Sequence, residues 1–153
     1  MRFKLFPCLI CLLLASALLT TAQAETSAKN WSKYRHAVMD VLKGHISAIS
    51  LVAFNQVEDT GHLKQHAAGL AEAATEVGKI FPAGSGEGTH ALPAIWEQPE
   101  EFAAAVAELE RTTQALSEAI AGGDRRTIAS AFKAAGDACK GCHEKFREEH
   151  DHD

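Results

Sequence analysis

Apolar residues recur along the chain at intervals of three and four, and no stretch alternates with a period of two for long. That spacing predicts helices rather than strands. The first block runs from about Ala28 to Phe54, with Trp31, Tyr34, Val38, Leu42, His45, Ile49 and Val52 along one side. The second runs from about Asp59 to Phe81, striped by Leu63, Ala67, Leu70, Ala74 and Val77. The third starts near Pro99, a residue suited to a first helical turn, with the acids Glu100 and Glu101 behind it. Phe102, Val106, Leu109, Leu116 and Ile120 follow its face, and Gly122-Gly123 ends it. Asp124 is then placed to cap a fourth helix carrying Ile128, Phe132, Ala135, Cys139, Cys142 and Phe146 on one stripe. Four helices of this size, each roughly 30–40 Å long, predict an all-α fold, an antiparallel four-helix bundle. One connection is long. Pro82 to Gln98, with Pro93 and glycines at 84, 86 and 88, reads as an irregular loop. Such a loop either covers a ligand or simply crosses over in solvent.

The 153-residue length fits one domain. Its start is read separately. Arg2 and Lys4 precede an apolar run from Leu9 to Leu19, and Ala22-Gln23-Ala24 follows with the small-x-small pattern that signal peptidase accepts. Residues 1–24 are therefore expected to be a removed signal peptide, leaving residues 25–153 as a single bundle domain in the periplasm. The apolar run is short for a membrane span of about 20 residues, so no membrane attachment is expected of the mature chain. Fifteen basic against twenty acidic residues give a formal charge of −5. Loss of Arg2 and Lys4 takes this to about −7. The chain repels nucleic acid on average, and no basic stripe with interleaved aromatics stands in it.

Cysteine usage narrows the chemistry. Cys8 and Cys11 belong to the leader, so Cys139 and Cys142 remain, followed at once by His143. One closely spaced pair makes no disulfide framework. Cys-x-x-Cys-His is the attachment signature of c-type haem. On a helix the two sulfurs project from one face about a turn apart, placed to bond one edge of a porphyrin. The imidazole of the next residue reaches the iron from the same side. A thiol–disulfide pair is the first rival, although it expects a βαβ setting. A zinc site is the second, although it wants further donors at ligand spacing. The mature chain has one methionine, Met39, which either ligates the iron from the other side or packs over it. His45 reads as a core histidine. His62 and His66 stand four apart with no third donor evident, and His150 and His152 fall in a charged tail.

The run Cys139-Lys140-Gly141-Cys142-His143-Glu144-Lys145-Phe146-Arg147 resembles the haem motif near the C-terminus of cytochromes c′. Tyr34-Arg35-His36-Ala37-Val38-Met39 is similar to the family's first helix, and Leu92-Pro93-Ala94-Ile95-Trp96 to its central loop. The resemblance runs from about Ala28 to Arg147. It implies one covalent haem c with His143 as the axial ligand of a five-coordinate iron. It implies Met39 as the plug of an apolar distal side, and Arg147 beside His143. It also implies Arg35 near a haem propionate, with His36, Glu87 and Thr89 as further contacts. His36 departs from the more usual glutamine, and Phe146 from a common tyrosine. The family is often a homodimer through its first two helices. A crowded apolar pocket gives bound dioxygen no hydrogen bond, so the ligands expected are nitric oxide and carbon monoxide, with single electrons passed to an unidentified redox partner. The alternative is a six-coordinate electron carrier with Met39 ligating. No enzyme is expected, since no polar acid–base pair can be named over the iron.

Overall fold

A computed structural model describes residues 26–148. The expected leader and the tail histidines His150 and His152 lie outside the described residues. Four main helices, α1 (Ala28–Ala53), α2 (Leu63–Ala74), α4 (Pro99–Gly122) and α5 (Arg125–Phe146), make the bundle, and a short α3 (Ala94–Glu97) lies in the long connection between α2 and α4. A single 3₁₀ turn, Val77–Lys79, follows α2. The bundle packs α4 against α5, α1 against α2, and α2 against α4; the fourth seam, between α1 and α5, is the thinnest.

Local chemistry sets most helix ends. Ser27 caps α1 by accepting from the Asn30 N–H. Pro99 opens α4, and Gly123 closes it at a left-handed φ of 79° that costs a glycine nothing. Asp124 caps α5 through the Thr127 N–H at 2.8 Å.

The second helix is shorter than its sequence pattern. It begins at Leu63 rather than Asp59, whose carboxylate lies in the preceding turn and accepts from the Gly61 and Leu63 N–H groups. Gly61, at φ 103°, breaks the turn between Asp59 and Leu63. At the other end the chain leaves the helix at Thr75 and curls toward α1, where the Ile80 carbonyl accepts from the Arg35 guanidinium at 3.2 Å.

The core is Val38, Leu42 and Ile49 of α1, Leu70 and Ala74 of α2, Val106, Leu109, Leu116 and Ile120 of α4, and Ile128 and Ala135 of α5. Thr112 and Thr113 bridge the apolar gap in α4 with their hydroxyls donated back to the carbonyls of Glu108 and Leu109 at 2.8 Å. That satisfies both oxygens inside the bundle. One stripe differs from expectation. Tyr34 is 49% exposed and donates to the Glu76 carboxylate, whereas its neighbour Arg35 is 6% exposed.

The long loop is ordered by contacts rather than by repeating structure. The Trp96 indole N–H donates to the carbonyls of Phe81 and Pro82 at 3.1 and 3.2 Å. Its ring lies directly on Gly86, where an added Cβ would stand 2.4 Å from ring carbons. Gly86→Ala is therefore expected to unseat Trp96 and cost about 1–3 kcal/mol by overpacking. A near-ultraviolet circular dichroism band unchanged from wild type, with an unchanged midpoint in urea, would contradict this.

Candidate functional site

Where α1 and α5 meet least, a cleft of about 210 Å³ opens. Met39, Arg35 and His36 of α1 line one wall, and Cys142, His143, Phe146 and Arg147 at the end of α5 line the other. Thr89, His90 and Ala91 of the loop stand at the rim, and Val77, Phe81, Phe102 and the buried Ile95 of α3 close the interior. Three of these aromatics form an edge-to-face chain, Phe81 to Phe102 at 5.2 Å and Phe102 to Phe146 at 5.3 Å. Sequence periodicity gave no signal for Phe81 or Phe102 as lining groups, because both also read as ordinary core positions.

Cys142 and His143 open into this cleft, while Cys139 opens onto an adjoining hollow that shares His143 and Arg147 with it. Both sulfurs are free thiols, half-buried, and packed against the apolar core. Burial pushes both thiols up, so each stays protonated near neutrality. They are not the lowered-pKa thiolates of a redox pair. Burial, and then the Arg147 cation, push the His143 imidazole down, leaving a neutral ring with a lone pair to give a metal. Among the described residues no group of three or more His, Cys, Asp or Glu side chains is arranged to hold a bare metal ion. The donor set is two thiols and one imidazole on one helix turn, beside an apolar slot. It fits a flat prosthetic group held by its edge better than a lone cation.

Arg35 is the unusual member. Its guanidinium donates to the Ile80 carbonyl at 3.2 Å, to Ser85 Oγ at 3.0 Å and to the Ser85 carbonyl at 2.7 Å, with Thr89 Oγ1 at 3.4 Å. It also lies 5.0 Å from the Phe81 ring centre. Among the described residues no carboxylate pairs with it. Ser85, itself buried, was not legible as a partner; only the glycines around it marked a tight turn. His36 is exposed at the mouth, its Nδ1 2.7 Å from the Ser32 carbonyl and its ring edge-on to His90. Thr89 lines the cleft; Glu87 is exposed and does not.

The loop and the last helix are sewn together across the rim. Ala91 and Arg147 form an isolated antiparallel bridge. The Leu92 N–H donates to the Phe146 carbonyl at 3.0 Å, and the Glu148 N–H to the His90 carbonyl at 2.9 Å.

A family model described as Cytochrome C′ matches residues 30–147. A cytochrome c′ of Pararhodospirillum photometricum is 29% identical over 124 residues, covering 80% of this chain and 99% of that one. Two solved structures of cytochrome c prime from Alcaligenes xylosoxidans are also similar. One is a nitric oxide complex of a mutant and the other a carbon monoxide-bound variant. Each is 25% identical with a TM-score of 0.75, covering 81% of this chain and 98% of theirs.

Proposed function

The chain belongs to the cytochrome c′ family and carries that family's one covalent haem c, and on this premise we propose that it is a periplasmic protein whose haem takes up nitric oxide and carbon monoxide. Cys139 and Cys142 would hold the group by thioethers, and the His143 imidazole would give its nitrogen to the iron. When bound, the haem supplies an iron that accepts a diatomic ligand and changes its charge by one electron. Everything else is the work of this chain's residues.

The observation that carries the reading is the pairing of walls in one cleft, His143 on α5 and Met39 on α1. Val77, Phe81 and Phe102, all apolar, line the same cleft as Met39. The polar rings of His36 and His90 are exposed at the rim. A ligand entering on the Met39 side would have to displace the thioether from its packing, and the Arg35 donors in the same cleft are turned to the oxygens of Ile80, Ser85 and Thr89. That arrangement supports uptake of nitric oxide and carbon monoxide over dioxygen, and no catalytic turnover. Arg35, a buried cation without a carboxylate, is placed to face a haem propionate together with Thr89. Arg147, beside His143, keeps the proximal side positive. His36 is a weaker candidate at the mouth, and Glu87 a contact only if the loop turns inward.

A second reading has an observation of its own. Met39 lines the same cleft as His143, so its sulfur is available as a sixth ligand for a low-spin electron carrier. The ferric spectrum separates the two: high-spin with ready carbon monoxide uptake on reduction supports the first, low-spin with resistance to carbon monoxide the second. Met39→Ala extends the test. With the plug removed, carbon monoxide association is expected to speed up about tenfold, the effect of relieving 1–2 kcal/mol of packing. An unchanged rate would remove Met39 from the distal role.

Export is supported by the leader pattern in residues 1–24 and by a fold in which no described helix is long and apolar enough to cross a membrane. A homodimer through α1 and α2 is supported by Tyr34 and Val41, two turns apart on α1 and 49% and 50% exposed.

A further inference from the structure

Away from the haem cleft, three histidines meet between α1 and α2, and none of them lines the cleft. His45 Nδ1 lies 3.2 Å from His66 Nδ1, with ring centres 5.4 Å apart. His62, one turn before His66, has its ring centre 6.2 Å from that of His66. We propose that His45 and His66, joined by His62, form a second metal site, for a divalent transition-metal ion that prefers imidazole nitrogen.

The distance is the first argument. Two ligands at about 2.0–2.1 Å from one metal stand roughly 2.9 Å apart at a right angle and 3.4 Å apart at the tetrahedral angle. The observed 3.2 Å, spanned by a hydrogen bond between the two ring nitrogens, falls between, so a metal that replaces the shared proton needs the two rings to turn but not to move apart. The second argument is how His45 reaches that place. Its Cε1–Nε2 edge lies on Gly69 of α2, where an added Cβ would stand 2.6 Å from Cε1 and 2.7 Å from Nε2. Only a glycine admits the ring there, and seating that edge turns Nδ1 toward His66. The third is access: all three histidines are half-buried, open enough for an ion to enter yet held by the helix pair. The set is incomplete as it stands, since among the described residues no three donors close around one point. His62, whose Nδ1 is 3.1 Å from Thr60 Oγ1, must release that hydroxyl and swing one rotamer inward, with water filling the remaining position. Such a set takes Zn²⁺, Ni²⁺ or Cu²⁺ and not Mg²⁺ or Ca²⁺, which want oxygen.

The test is calorimetric titration of the matured holoprotein with Zn²⁺, which is redox-silent toward the haem, in a His150→Gln, His152→Gln background that removes the tail donors. The expected result is one equivalent bound per chain. Affinity falls at least tenfold in His66→Gln and in His45→Gln, and about threefold in His62→Gln, with the haem spectrum unchanged in each. Absence of stoichiometric binding in that background, or affinity unmoved by His66→Gln, overturns the site. His45→Gln disturbs packing on Gly69, so His66→Gln decides the matter if the former fails to fold.

Discussion

A chain with Cys139→Ala and Cys142→Ala will emerge from a host able to mature c-type cytochromes with the mass of its bare polypeptide. The two thiols are the only ones outside the expected leader, and they stand three residues apart. Net addition of each S–H across a vinyl group would give one thioether per sulfur, so the pair would fix the ring against rotation. Removing one leaves a single tether; removing both leaves only His143 and the apolar walls. Acid–acetone extraction should strip all colour from the double variant and none from the unaltered protein, a difference of all against nothing. Colour that survives extraction in the double variant would place the attachment elsewhere and undo the haem assignment of these residues.

The second large effect belongs to Arg35. Its side chain holds the loop from Ile80 to Thr89 onto α1 through bonds to two carbonyls and two hydroxyls, inside the protein. Arg35→Ala removes the donors and leaves the Ser85 hydroxyl and carbonyl buried with nothing from this side chain. A charge-assisted hydrogen bond contributes about 1.5–3 kcal/mol, and stranded partners add to the loss. The cost of burying an uncompensated guanidinium disappears with it, which offsets part. A net loss of about 3 kcal/mol is expected, read as a lower urea midpoint of the holoprotein. Arg35→Lys should recover under half of it, because an ammonium cannot fork to both ends of Ser85. A loss below about 1 kcal/mol would mean that the loop holds itself.

Reading the chain alone succeeded where the determinant was local. Pro99, Gly123 and Asp124 act through their own backbone and their nearest neighbours, and each ends or begins a helix where expected. The Cys-x-x-Cys-His run is local too, so its placement on one helix turn needed no tertiary information. Failures came where distant contacts decide. Tyr34 and Arg35 are one residue apart, 100° around a helix, and apolar periodicity favours the tyrosine for the inside. What draws Arg35 inward is a set of loop oxygens forty-five to fifty-four residues away. Only the family resemblance marked Arg35. After Ala74 the chain runs through Thr75, Val77 and Gly78, all weak helix formers, to Pro82; apolar periodicity carried the helix past them, whereas the chain bends there and presents the Ile80 carbonyl to Arg35. His45 read as a buried core residue. It is half-buried and faces His66, because Gly69 on another helix leaves it a seat.

The hydrogen bonds from Leu92 to Phe146 and from Glu148 to His90 join segments more than fifty residues apart. Closing so long a stretch of chain is among the slowest and latest steps open to a helical protein, whose other contacts are mostly between sequence neighbours. Those two bonds pin the residues just past Cys142 and His143 to the loop at the rim of the cleft, so the mouth of the cleft is held by two stretches of chain far apart in sequence.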